Sequence, residues 1–200
     1  MTQLQVAYRV AKTQLGQKEI IGPKANEQIL HYHAATSLHA NSDEVPWCSA
    51  FVNWCYIIAG LILNPAGMTK LLQKHKFSEV DIMKFQMSAI AANNILFLQD
   101  PQIMKAIGTS SPTLETGALV KIGTRNPAAR SWLGWGAKVK TPKEGDLVCF
   151  TRGKDGWSGH IAFVSKVGMT YIDCLGGNQS DKVSIAPYAR ARVLGYMVEA

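Results

Sequence analysis

Three residues of types used in nucleophilic catalysis lie far apart in the sequence, at Cys48, His160 and Asn178. Cys48 follows Pro46-Trp47 and lies at the expected first turn of an apolar helix. At that position the unpaired backbone N–H groups and the positive end of the helix dipole favour a thiolate, which is the attacking species in nucleophilic catalysis by cysteine. The position therefore predicts a nucleophile, with an ordinary buried cysteine as the alternative interpretation.

His160 is the candidate base. It follows Ser158-Gly159 and begins a predicted strand, so its ring can project into a cleft, and its ordinary pKa of about 6.5 suits proton exchange with a thiol. Asn178 follows Gly176-Gly177 after the next predicted strand, where its side-chain carbonyl could accept from the imidazole and fix the tautomer. Asp173 competes for this orienting role. A surface-loop histidine and a turn asparagine are the simpler interpretations.

Helices are predicted in the first third of the chain, where apolar or small residues recur at helical spacing. They cover 3–15, 26–35 and 47–59, and the third carries Cys48 at its start. Asn126-Pro127 resembles a helix start with a first-turn proline and predicts a helix through Leu133.

After Pro142 the sequence changes to short, apolar-rich or alternating segments separated by Gly-bearing turns, which predict strands. These strands are expected at 146–151, 160–166, 170–175 and 193–198. Helices followed by an antiparallel sheet predict one α+β domain over residues 1–200, with N-terminal helices packed on a C-terminal sheet. Residues 64–123 are expected to form a mostly helical insertion, and Ser78 with Asp81 has the pattern of a capping box within it.

Five blocks of sequence, in this order, carry a more specific resemblance. They are Asp43-Glu44-Val45-Pro46-Trp47-Cys48-Ser49-Ala50-Phe51-Val52-Asn53-Trp54, Ala129-Arg130-Ser131-Trp132-Leu133-Gly134-Trp135-Gly136, Gly145-Asp146-Leu147-Val148, Gly159-His160-Ile161-Ala162-Phe163 and Gly176-Gly177-Asn178-Gln179. Together they resemble the NlpC-type and CHAP-type cell-wall cysteine peptidases, which are papain-like, and within them a subgroup found in phage lysins. The resemblance covers roughly 1–63 and 124–200, and the insertion is longer than that subgroup leads us to expect.

The resemblance implies a peptidoglycan hydrolase that cuts an amide bond in the stem peptide or the cross-bridge. Cys48 would be the nucleophile, His160 the base and Asn178 the orienting residue, and the reaction would pass through a tetrahedral oxyanion and a thioester. Endopeptidase action is preferred slightly over N-acetylmuramoyl-L-alanine amidase action. We expect no cofactor, and no metal because the sequence has no calcium-binding Asp-x-Asp-x-Asp run.

Three residues before the nucleophile are candidate substrate-binding residues. Trp47 is expected to wall the cleft or to pack under it. Asp43 and Glu44 lie close enough in sequence to border the cleft and to contact substrate, and loop carboxylates without such a role are an equal alternative.

The net charge, the apolar stretches and the N-terminal sequence give expectations about partners and location. A net charge of +7, from 21 Lys and Arg against 14 Asp and Glu, favours a polyanionic partner such as the cell wall, and no nucleic-acid motif accompanies it. The apolar stretch 57–63 is far shorter than the roughly 20 residues of a membrane span, so no stable membrane insertion is expected. No signal peptide is visible. We therefore expect a protein made in the cytoplasm that acts on the cell wall, in the periplasm or outside, after release or delivery.

Two biological settings and two other functions fit the same residues. The protein could be a phage lysin or a secreted antibacterial effector, and an effector would have an immunity protein or a secretion-system carrier as partner. One alternative function is a non-catalytic wall-binding module on a papain-like scaffold, in which the insertion does the binding. The other is an acyltransferase that uses the same Cys48–His160 pair.

Overall fold

A computed structural model describes residues 1–83 and 122–200 and shows helices followed by a six-stranded antiparallel sheet. The helices are α1 (Gln3–Thr13), α2 (Glu27–Ala34), α3 (Cys48–Leu63) and α4 (Pro65–Lys74), with short 3₁₀ helices at Ala129–Gly134 and Arg190–Arg192. The strands are β1 (Ala137–Val139), β2 (Leu147–Thr151), β3 (Gly159–Val167), β4 (Tyr171–Gly176), β5 (Ser184–Ala189) and β6 (Val193–Val198). This architecture confirms the predicted α+β class and is consistent with a papain-like fold.

Helix α3 is the central element of the core. It is apolar on every side, and it is buried from Cys48 to Leu61. A helix of that kind must be covered all round. Helices α1 and α2 pack on it together with strands β3 and β4, and Gly177 after β4 lies against Trp47 and Phe51, so the start of α3 meets the sheet.

The sheet has the strand order β1-β6-β2-β3-β4-β5 and buries apolar side chains on both faces. Because side chains alternate along a strand, Ile161 and Phe163 of β3 join the core formed with the helices, whereas Ala162 and Val164 join a second cluster with Phe150. His160 is the second residue of β3 and lies opposite Phe150 of β2. By the same alternation, its side chain belongs to the face of the second cluster.

The structure differs from the sequence-based expectations at three elements. Strands β1 and β5 were not predicted: β1 has only three residues, and β5 contains Pro187. Proline is tolerated in β5 because that strand lies at an edge of the sheet. The helix expected from Asn126 is instead a 3₁₀ helix of six residues that begins at Ala129.

The insertion lies only partly within the described residues. Ser78 Oγ accepts from the backbone N–H of Asp81 at 3.2 Å, as the capping pattern predicts, and a helical segment begins there; residues 84–121 of the expected insertion lie outside the described residues. In the described part of the chain no single helix is long and apolar enough to span a membrane. The pair Cys48–Leu63 and Ala66–Lys74 passes that test by length and composition together, across a bend of 100°. Residues Cys48–Leu61 are core in this fold.

Candidate active site

Cys48 is the first residue of α3, as predicted, and only 4% of it is exposed. The backbone N–H groups of Ser49 and Ile161 lie close enough to its sulfur to favour the thiolate. Because Ile161 directly follows His160, the structure brings the sulfur to the start of β3. Two segments more than a hundred residues apart in sequence therefore meet at one place.

The 3₁₀ helix at Ala129–Gly134 supports both of these segments. The indole N–H of Trp132 donates to Ser49 Oγ at 3.0 Å, which fixes the residue after Cys48. Arg130 Nε donates to the backbone carbonyl of Ser158 at 2.9 Å, two residues before His160. One short helix therefore forms hydrogen bonds both with the segment that carries the nucleophile and with the segment that carries the imidazole.

The His160 ring is held by Gln179. Its Nε2 lies 3.1 Å from Gln179 Oε1, and the Gln179 amide nitrogen donates to the backbone carbonyls of Ser184 at 2.6 Å and Cys174 at 3.2 Å. Since the amide nitrogen faces two acceptors, the amide oxygen must face the ring. We therefore assign the proton of the neutral imidazole to Nε2, which leaves Nδ1 as the acceptor that could take a proton from a thiol.

Asn178, predicted to orient the imidazole, points elsewhere. With its amide turned to accept, its oxygen takes hydrogen bonds from the backbone N–H of Trp47 at 3.3 Å and from the indole N–H at 3.1 Å. The backbone of Asn178 is left-handed, with φ of 54°, so the chain turns and the following side chain, Gln179, reaches His160. The simpler interpretation of Asn178 as a turn asparagine fits this geometry, and the contact expected of it belongs to Gln179.

Asp173, the competing candidate, lies far from the imidazole. It pairs in the sheet with Lys166, which is six residues along β3 from His160. At the rise of a strand this corresponds to about 20 Å. Its position in the strand register therefore separates it from the site.

An aromatic stack covers the imidazole. The Tyr188 ring stacks on the His160 ring at 5.0 Å and 18°, and on the Phe150 ring at 4.8 Å and 24°. Only 3% of His160 is exposed, and burial is the main reason why its pKa falls to about 4. The Gln179 hydrogen bond opposes this fall, while the positive charges of Arg152 and Arg192 add to it. The ring is therefore neutral at pH 7.

Burial also decides the state of Cys48. It raises the pKa of the thiol, and the N–H groups of Ile161 and Ser49 together with the Arg152 charge offset only part of that rise. The thiolate expected from the helix start is therefore not the resting form. At rest the thiol at the start of α3 and the imidazole near the start of β3 are therefore both neutral.

The three predicted substrate-binding residues have different surroundings. Trp47 is fully buried, and its indole N–H also donates to Glu19 at 2.7 Å, so it packs under the site. Asp43 is 1% exposed, and its Oδ2 accepts from the backbone N–H groups of Ile20 and Asn26 at 2.9 and 2.8 Å. These contacts give Asp43 a structural place in the adjoining loop. Glu44 is exposed beside a pocket, and its contact with substrate stays a prediction.

Two pockets adjoin each other at Ser180, which lines both. The smaller has a volume of about 150 Å³ and is lined by His160 and Gln179 together with Arg152, Tyr188 and Arg192. The larger, of about 470 Å³, is lined by Lys18, Glu19, Ile20, Ile21, Glu44, Ser180, Asp181 and Lys182. Across residues 1–83 and 122–200 no group of three His, Cys, Asp or Glu residues is arranged to hold a metal ion.

Comparison with known families agrees with this geometry. The family model of the CHAP domain matches residues 40–178, which is 139 of the 200 residues and includes Cys48 and His160. The chain therefore belongs to the CHAP family, whose members are typically amidases or peptidases that act on peptidoglycan. Comparison with curated proteins and with solved structures gives no significant match.

Proposed function

We propose that the protein hydrolyses an amide bond in the stem peptide or cross-bridge of peptidoglycan, with Cys48 as nucleophile, His160 as base and Gln179 as the residue that orients the base. The observation that carries this proposal is the fixed Gln179 amide, because it leaves Nδ1 of a neutral imidazole free to accept a proton. The thiol that would supply the proton lies beside the next residue of the chain, Ile161.

The proposed reaction has two halves. In the first, His160 Nδ1 takes the thiol proton as the Cys48 sulfur attacks the carbonyl carbon, and the resulting oxyanion is stabilised by backbone N–H groups at the start of α3. The imidazolium then donates that proton to the departing amine as the C–N bond breaks, which leaves a thioester. In the second half, water attacks the thioester with His160 as base, and the acid product and the thiol are released.

Burial makes proton transfer part of the attack. Because the pKa of Cys48 is raised and that of His160 is lowered, a resting thiolate–imidazolium pair is disfavoured. The thiol is therefore deprotonated as substrate binds and the carbonyl approaches, in the way that a serine hydrolase uses its histidine. The gain from the oxyanion contacts must offset the unfavourable transfer.

We further propose endopeptidase action in preference to N-acetylmuramoyl-L-alanine amidase action. The proposed setting is a phage lysin or a secreted antibacterial effector, which reaches the wall in the periplasm or outside after release or delivery. An effector would be accompanied by an immunity protein or a secretion-system carrier. The net charge of +7 supports an anionic partner of this kind.

The test is a digest of purified sacculi, analysed by mass spectrometry for new amine termini and for the bond that is cut. Wild-type protein is compared with Cys48→Ala and with Cys55→Ala, a second buried thiol on the same helix. We expect fragments from the wild type and from Cys55→Ala, and none from Cys48→Ala. Binding to sacculi without cleavage in all three would favour a wall-binding module. An acyl group held on Cys48 and passed to an amine, with sacculi intact, would favour an acyltransferase.

A further inference from the structure

The smaller pocket carries an unbalanced positive charge beside the base. Arg152 and Arg192 both line it next to His160, and no described carboxylate does so. Arg192 donates to the backbone carbonyl of Thr151 at 3.0 and 3.3 Å, and its guanidinium carbon lies 5.7 Å from the Tyr188 ring centre. Neither arginine forms an ion pair with an acidic residue in the described parts of the chain.

This arrangement opposes catalysis unless something balances it. His160 must become an imidazolium when it takes the thiol proton, and two nearby guanidinium groups disfavour that form. A negative group placed between the arginines would remove the penalty. The described site supplies no such group, and a substrate that carries a carboxylate would supply it.

The geometry points to a subsite, formed by Arg152 and Arg192, that binds a carboxylate on the leaving-group side of the substrate. This inference rests on the proposed hydrolysis. The departing nitrogen has to lie against the His160 ring to receive its proton, so the group attached to that nitrogen enters the pocket that the ring lines. A guanidinium recognises a carboxylate through paired, charge-assisted hydrogen bonds.

The preferred substrate is therefore an amide whose departing amino acid keeps a free carboxylate close to the scissile nitrogen. A cross-link through the amine of a diamino diacid has that feature. A cross-link through the terminal amine of lysine lacks it, because no carboxylate is attached to the carbon that bears that nitrogen. The subsite thus selects between two chemical classes of cell wall.

The test uses two synthetic cross-link fragments that differ in one group. The departing amino acid carries either a free carboxylate or a primary carboxamide on the carbon that bears the scissile nitrogen. We measure kcat/KM for the wild type, Arg152→Gln, Arg192→Gln and the double variant. Arg190→Gln is the matched control, since Arg190 donates to the carbonyls of Gly168 and Met169, away from the pocket.

We expect the wild type and Arg190→Gln to favour the carboxylate fragment by roughly 10–100-fold, as one or two charge-assisted hydrogen bonds allow. The double variant is expected to lose this preference, so that it cleaves the two fragments at similar rates. Arg152→Lys is expected to keep part of the preference, because it keeps the charge. Equal cleavage of the two fragments by the wild type, or a preference that survives in the double variant, would overturn the subsite.

A binding measurement separates failure of the subsite from failure of the proposed hydrolysis. If neither fragment is cleaved, calorimetry with Cys48→Ala protein compares the affinities of the same two fragments. Tighter binding of the carboxylate fragment that depends on Arg152 and Arg192 supports the subsite even without turnover. Equal affinities, or no binding of either fragment, would reject it.

Discussion

The nucleophile and the base of the proposed reaction are held in place by different means. Cys48 is fixed by the backbone of α3, and backbone N–H groups, among them those of Ser49 and Ile161, lie close to its sulfur. His160 is fixed by side chains: the Gln179 amide at 3.1 Å and the Tyr188 ring at 5.0 Å. The helix start needs only local chain geometry, whereas the surroundings of the imidazole are gathered from several strands and a turn.

The turn after β4 connects the helix start that carries Cys48 with the surroundings of the His160 ring. Asn178 contacts Trp47, the residue before the nucleophile, and Gln179 contacts the imidazole. Two adjacent amides therefore set the position of the helix start relative to the ring. A rigid helix alone would not fix that relation, because His160 lies on another element.

The largest expected effects separate activity from stability. We expect Cys48→Ala and His160→Ala each to lower kcat by roughly a thousandfold or more. We expect His160→Ala also to lower the free energy of unfolding by roughly 2–4 kcal/mol, because it empties a buried, stacked site, against about 1 kcal/mol for Cys48→Ala. Sacculus digestion and urea unfolding measure the two quantities. If His160→Ala had the same free energy of unfolding as the wild type, the conclusion that packed side chains hold His160 in place would be contradicted.

The next effect compares the two amides of the turn. We expect Gln179→Ala to lower kcat by roughly 10–100-fold, because it frees the ring and its tautomer, a smaller loss than that of proton transfer itself. Asn178→Ala is expected to cost only a few-fold, through looser packing of Trp47. Steady-state kinetics on a soluble muropeptide measures both variants. The opposite ranking would return the orienting role to Asn178.

A smaller effect is expected where the turn touches α3. A Cβ at Gly177 would lie 2.5 Å from the Trp47 ring and 2.6 Å from Phe51 Cβ. We expect Gly177→Ala to lower the free energy of unfolding by about 1–3 kcal/mol, as overpacking does. Gly134→Ala is the control, since nothing lies within 4 Å of its Cβ position. Equal chemical-unfolding midpoints for the two variants would show that the turn is not pressed against the helix.

The smallest expected effect is a change of activity with pH. With the pKa of His160 at about 4, about nine-tenths of the free enzyme keeps a neutral base at pH 5, so kcat/KM is expected to change little between pH 7 and pH 5. With a ring of the ordinary pKa of about 6.5, kcat/KM would fall roughly 25-fold between pH 7 and pH 5. Stability is expected to fall as the pH drops from about 6.5 towards 4, because the unfolded chain binds a proton there that the folded chain does not. A kcat/KM limb near pH 6.5 would contradict the buried base.

Much of this arrangement could be predicted from the sequence. The α+β class, the helix that begins at Cys48 and the strand that begins near His160 follow from local periodicity and from the residues that flank each element. The orienting residue could not be predicted in the same way. One residue in the left-handed region at Asn178 decides which of two neighbouring amides faces the ring, and a pattern of residue types does not specify that angle. The signal was present, because asparagine is enriched at positive φ and so marks the turn itself.

The protonation state of the Cys48 thiol likewise could not be predicted from the sequence. Position at a helix start favours the thiolate, and that influence is present in the N–H groups near the sulfur. Burial opposes it, and the extent of burial depends on how α3 packs against β3 and β4. The sign of a pKa shift at a core helix end is therefore a tertiary property.

The depth of the Cys48 sulfur has a consequence for its lifetime. Peroxide and alkylating reagents attack the thiolate of an accessible cysteine, and this side chain is 4% exposed with a raised pKa. We expect slow inactivation by hydrogen peroxide or iodoacetamide in the absence of substrate. A nucleophile that is buried and protonated at rest can survive oxidising surroundings that would consume an exposed thiolate.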